Sequence, residues 1–138
     1  MERKGKLLAL DVGDKRVGVA ISDPYWIVVT PYRTFENDDR IFEKIANLIE
    51  EFGIKKVIVG LPLTLSGEEG TQAKKTREFA KNLQNFINVP IEFVDERFTT
   101  DMAQELLKTK KRKYQKDKEK KDSIAAAFIL ESFINQTR

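Results

Sequence analysis

The sequence predicts an α/β fold on a mixed five-stranded sheet, an antiparallel three-strand meander joined to two parallel strands, with helices on both faces. Three observations lead there. Short aliphatic runs crowd the first third of the chain, helical periodicity begins only near residue 38, and from there helical and strand patterns alternate. A meander followed by right-handed α/β crossovers produces a sheet of this kind.

Lys6 to Leu10 and Val17 to Ser22 form the first two strands, a hairpin closed by Gly13-Asp14-Lys15. Val28 to Tyr32 is the third, and Pro31, which cannot donate to a ladder, argues for an edge position or an early end. In Asp38 to Phe52 the apolar residues Ile41, Phe42, Ile45, Leu48, Ile49 and Phe52 fall on one helix face, with Asn37 or Asp38 as cap and Gly53 just past the end. Lys56 to Leu61 is a continuous aliphatic run, short enough to be a strand buried on both faces. Pro62 to Gly70 is a loop, Thr71 to Phe86 a second helix, and Ile91 to Val94 a further strand introduced by Pro90. Thr99 or Thr100 caps a helix through Leu107, and Ser123 to Ile134 makes a final helix.

The 138 residues fit one domain, 1–138, and 41% hydrophobic with 34% charged residues describes a folded chain with a very ionic surface. Apolar runs stay far below the roughly 18 residues that span a bilayer, and Met1 to Lys6 is charged, so the chain reads as cytoplasmic with no membrane partner. Cysteine and histidine are both absent. That excludes disulfides, thiolate nucleophiles, Ser-His-Asp sites and histidine-held transition metals. Catalysis would fall to carboxylates, lysines, hydroxyls or a bound metal, and oxygen ligands favour Mg2+ or Mn2+.

The charge is concentrated. Lys108 to Lys121 holds nine basic residues against two acidic ones, a local +7 in a chain of formal net charge +3, so the remainder is net negative. Such a run is either a phosphate-binding element or a solvated surface segment.

Three carboxylates can meet. Asp11 stands at the carboxyl end of the first strand, and Glu96 just past the carboxyl end of a strand expected to run parallel to it, where open α/β sheets place their ligands. Asp122 shares a helix face with Ala126, Ile129 and Phe133, so it turns toward the sheet, and Ala125 to Ala127 would let the helix come close. Crowded carboxylates raise each other's pKa unless a cation neutralises them, and such a site can hold two ions about 4 Å apart. Each residue also has an ordinary reading: Asp11 as a turn former, Glu96 as an ion-pair partner of Arg97, Asp122 as a helix cap.

The blocks "LALDVGDKRVGVAISD", "VIVGLPLTLSGEEG", "FVDERFTT" and "KDSIAAAFILES" resemble, in order and over Leu7 to Ser132, the YqgF/RuvX family, nucleases of ribonuclease H-like fold related to the RuvC resolvases. The resemblance implies that Asp11, Glu96 and Asp122 are catalytic and metal-binding, with Asp95 as the substitute for Glu96, since strand neighbours point to opposite faces. It implies Mg2+- or Mn2+-dependent cleavage of structured nucleic acid, by a monomer or homodimer. The substrate is either structured RNA, at the 5′ end of precursor 16S ribosomal RNA, or branched DNA at a Holliday junction. Lys15, Arg16, Arg97, Lys110, Lys111, Arg112 and Lys113 would then contact phosphates, which positions a backbone without reading its sequence.

Two other classes share these features. The opening hairpin also resembles the phosphate-binding hairpin of actin and Hsp70-type ATPases, but those clamp ATP between two lobes, each with its own hairpin, and here there is one. A nucleic-acid-binding module without turnover would keep the same residues. Tyr25 and Trp26 are either base-stacking residues or sheet-edge packing.

Overall fold

The computed structural model describes residues 2–96 and 121–137. The expected helix from Thr99 or Thr100 through Leu107 lies outside the described residues, as do Arg97 and nearly all of the lysine-rich segment, Lys110, Lys111, Arg112 and Lys113 included.

Strands β1 (Lys6–Val12), β2 (Arg16–Ser22) and β3 (Val29–Glu36) form the expected meander, and helix α1 (Ile41–Phe52) leads into β4 (Ile54–Leu61). Helix α2 (Thr71–Leu83) follows, then β5 (Ile91–Asp95) and helix α3 (Lys121–Thr137). The sheet order is β3-β2-β1-β4-β5. The first two pairings are antiparallel, and β1/β4 and β4/β5 are parallel.

Pro31 does sit on an edge strand, but it does not end it. The register slips beside it, with Val19 opposite Arg33 and Ala20 opposite Pro31, so a bulge absorbs the missing donor and β3 runs on to Glu36. Helix α1 starts at Ile41, the first residue of its apolar face, with Arg40 and not Asn37 or Asp38 at its cap, because Asp38 is used in the preceding turn: its carboxylate accepts the Arg40 N–H at 3.0 Å and its carbonyl the Ile41 N–H at 3.2 Å. Gly53 closes α1 in the left-handed conformation, φ 63°, a region that other residues enter only with strain. Helix α2 ends at Leu83, three residues before the expected Phe86, and passes into turns closed by Asn85 and Phe86 N–H groups.

The period-2 pleat divides the core. Leu8, Leu10, Val17, Val19, Val57 and Val59 pack against Ile41, Ile45 and Leu48 of α1 and Phe79 and Leu83 of α2. On the other face Leu7, Ala9, Ala20, Ile58 and Val94 pack against Ala126, Ala127, Ile129, Leu130 and Phe133 of α3. β4 is buried from Val57 through Leu61, which explains its unbroken aliphatic run. Among the described residues no helix is long and apolar enough to cross a membrane.

Candidate active site

Leu7, Ala9 and Asp11 alternate onto one face of β1, so the pleat that buries Leu7 and Ala9 under α3 carries Asp11 to the same face at the carboxyl end of the strand. The same alternation decides between Asp95 and Glu96. Val94 faces α3 and Phe93 packs with the opposite core, so Glu96 returns to the α3 face and Asp95 does not. Glu96 still holds the parallel register, its N–H donating to the Leu61 carbonyl at 3.1 Å.

Asp11 and Glu96 come from strands that are not neighbours. β4 lies between them, so their backbones stand two strand spacings apart, about 10 Å. Their carboxyl groups nevertheless hydrogen-bond to each other. Burial raises both above the ordinary carboxylate range, and the mutual charge raises Glu96 further, to about 7, with the bond to Asp11 and the charge of Asp95 adding to it. Below a pH of about 7 the pair therefore shares a proton in the hydrogen bond between Glu96 and Asp11.

Asp122 arrives from the third direction. The chain is already helical at Lys121, so Asp122 lies within the first turn of α3 and not before it as a cap. It stands close enough to Asp11 for its charge to raise the Asp11 pKa. Its carboxylate Oδ2, however, accepts from Arg16 Nε at 3.0 Å, an ion pair whose side chains are 58% and 30% exposed. The structure thus joins Asp11 to Glu96 directly and ties Asp122 to Arg16. Among the described residues no three acidic groups converge tightly enough to cage an ion.

The donor set still fits a divalent cation. It is all oxygen, Asp11 and Glu96 are largely sheltered from water, and positive charge in place of the proton they share would favour their ionised forms together. Lys15 and Arg16 are exposed on the β1–β2 turn beside Asp11. That turn is held by Gly13 N–H to the Arg16 carbonyl at 2.9 Å and by Asn37, whose side-chain amide donates to the Gly13 carbonyl at 2.8 Å.

The second aspartate of the opening hairpin behaves differently. The Asp23 carboxylate accepts backbone N–H groups from Tyr25, Ile27 and Val28 at 3.0, 2.7 and 2.7 Å. Desolvation pushes its pKa up, but these bonds outweigh it and hold the carboxyl below the usual range. Asp23 is a turn former. Trp26, with Tyr25 in the same turn, lies at the end of the sheet opposite Asp11; it packs edge-on against Phe133 at 5.7 Å and donates Nε1 to the Gly5 carbonyl at 2.8 Å. Packing, not base stacking, accounts for Trp26.

Two glycines take a part in the site that the sequence did not assign them. Gly18 is the cross-strand partner of Asp11, and Gly60 follows Val59, the partner of Leu10, so both flank Asp11 on its own face. A β-carbon on Gly18 would overlap the Asp122 carbonyl and come within 2.8 Å of Ser123 N. One on Gly60 would overlap Glu96 Oε1 and meet Ile129 Cδ1 at 2.5 Å. A lone glycine inside a strand pattern is the signal that could have found them, since it marks a close approach.

The family model described as "RuvX: Holliday junction resolvase" matches residues 5–136. A protein of Sulfurihydrogenibium sp. is 50% identical over 134 residues, covering 95% of this chain and 90% of its own, and one of Roseiflexus sp. is 38% identical over 136 residues, covering 97% and 96%. Both carry the name "Putative pre-16S rRNA nuclease". Among solved structures, T. thermophilus RuvC in complex with a Holliday junction substrate superposes with a TM-score of 0.68 at 12% identity, over 97% of this chain and 95% of that one. At that identity the likeness concerns the fold, which is the RuvC-like, ribonuclease H-like arrangement expected from the sequence. By the family match and by its relatives, the chain belongs to the RuvX family.

Proposed function

We propose that residues 1–138 form one nuclease domain that hydrolyses phosphodiester bonds in structured nucleic acid in the cytoplasm, acting on the 5′ end of precursor 16S ribosomal RNA. The observation that carries this reading is the meeting of Asp11 and Glu96 across β4, with Asp122 delivered beside Asp11 by α3. Two sheltered carboxyl groups held in contact cost stability once both ionise, and such perturbed groups gather at functional sites. The relatives' names supply the substrate.

Asp11, Glu96 and Asp122 would hold Mg2+ or Mn2+, and the bound ion would activate the attacking water and stabilise the leaving oxygen. The chain's own groups do the rest. Glu96 and Asp11 give up the proton they share, so both carboxylates become available together. Arg16 and Lys15, on the exposed turn beside Asp11, grip the phosphate backbone, and Arg16 can pass from Asp122 to a phosphate because the pair is solvent-exposed and weak.

A second reading, resolution of a four-way DNA junction, is favoured by the description of the matching family. End-labelled precursor 16S leader RNA and a four-way DNA junction, each with Mg2+, Mn2+ or EDTA, separate the two. Metal-dependent cutting of the RNA supports the proposal, and cutting of the junction alone moves the activity to DNA. Binding without cutting under every condition makes the chain a nucleic-acid-binding module.

A further inference from the structure

Asp11 and Glu96 meet over a strand that belongs to neither. The strand between them, β4, presents Gly60 on the site face, at the point where the Glu96 side chain leans across to reach Asp11. Gly60 is not among the glycines with positive φ, so any L-residue could take its backbone conformation. Its neighbours in β4, Val57 to Val59 and Leu61, are all buried and bulky. Neither turn geometry nor helix packing alone explains a missing side chain here.

The β-carbon contacts explain it. An alanine methyl at position 60 would overlap Glu96 Oε1, approach Glu96 Cγ at 2.9 Å and press on Ile129 Cδ1 at 2.5 Å. Each of these atoms belongs to a side chain, not to the backbone. The fold could therefore yield by moving these side chains, and the nearest of their atoms is the Glu96 carboxylate oxygen.

Gly18 shows the contrast. Its added β-carbon meets the backbone of Asp122 and Ser123, where nothing can swing aside, so alanine there displaces helix α3 itself. One glycine seats the helix and the other opens a path for the carboxylate.

We propose that Gly60 is a positioning residue of the site: its missing side chain is the gap through which Glu96 reaches Asp11, and the paired carboxylates exist only because that gap is kept open. The proposal rests on the metal-nuclease reading. It adds to it a residue that touches neither ion nor substrate.

The test is a Mn2+ titration of the full chain without nucleic acid, by calorimetry, on wild type, Asp11→Asn, Gly60→Ala and Gly60→Ala/Ile129→Val, with thermal midpoints alongside. Gly60→Ala should melt within about 4 °C of wild type, roughly the effect of 1 kcal/mol in a chain of this size. It should bind Mn2+ about 10- to 100-fold more weakly, the usual effect of disturbing a residue that orients a ligand. In cleavage it should lower kcat and leave KM for the nucleic acid unchanged. Removing Ile129 Cδ1 should not restore binding, because the carboxylate stays displaced.

Mn2+ binding by Gly60→Ala equal to wild type overturns the proposal, as does restoration in the double variant, which would trace the effect to α3 packing. A Gly60→Ala chain that fails to fold also overturns it, since the gap would then serve the core. The larger reading fails separately: if wild type itself binds no Mn2+, or Asp11→Asn binds as wild type does, the metal site is gone and Gly60 with it.

Discussion

Glu96 hydrogen-bonds to Asp11 across the whole width of β4, although no backbone ladder joins their strands. Both groups are sheltered from water, and at neutral pH they divide a proton between them. Most of what can be tested about this chain follows from that pair.

The first consequence is a stability that falls with rising pH in metal-free protein. Glu96 has a folded pKa of about 7 against an ordinary 4.5, so between these values the folded state binds more protons than the unfolded state. Stability is then lost progressively as pH rises from about 4.5 to about 7, by on the order of 3 kcal/mol if the whole shift is realised. Urea denaturation at pH 5 and pH 8 should show the loss in wild type and a much flatter profile in Glu96→Gln. Mg2+ should recover more stability at pH 8 than at pH 5, because ligation needs the ionised form.

Asp11→Asn and Asp122→Asn should each lower the cleavage rate about 10³-fold or more, on the scale of losing a group that acts in the transition state. Their affinity for nucleic acid should stay near wild type or rise, since each removes a negative charge beside the phosphate path. Rates from single-turnover cleavage, set beside binding isotherms in EDTA, check both halves.

Arg16→Ala tests whether the guanidinium tied to Asp122 also serves the substrate. Binding should weaken alike on RNA and DNA, and the slope of log affinity against log salt should become shallower by about 1. The fold should lose less than about 1 kcal/mol, because the Arg16–Asp122 pair is exposed. A fluorescence anisotropy series in KCl would show it.

Far from the site, Gly53→Ala should cost about 1 kcal/mol, the penalty for holding a β-carbon in the left-handed conformation that ends α1. Cleavage per folded molecule should not change. Urea midpoints and rates on the same preparations separate the two effects.

Much of this molecule is a consequence of local pattern. The alternation of Leu7, Leu8, Ala9 and Leu10, the one-sided face of α1 and the unbroken run in β4 each state how they will be buried, because side-chain direction follows from the period of the backbone. The same arithmetic puts Glu96, and not Asp95, on the α3 face once Val94 is known to lie there. Periodicity and caps are less informative at element ends, where a neighbour decides: Pro31 is absorbed by a bulge, and Asp38 spends its carboxylate on a turn ahead of α1.

What the sequence by itself determined was therefore the order and burial of the elements and the three acidic positions at the sheet's carboxyl end. The tertiary structure decided which of them touch. Whether Asp11 bonds to Glu96 depends on β4 passing between them with a glycine at the crossing, and whether Asp122 faces the pair or Arg16 depends on how closely α3 settles over Gly18. Those are relations between residues 36 to 106 positions apart, set by side-chain volume at a contact, and no repeat or spacing along a chain encodes which two side chains will compete for the same space.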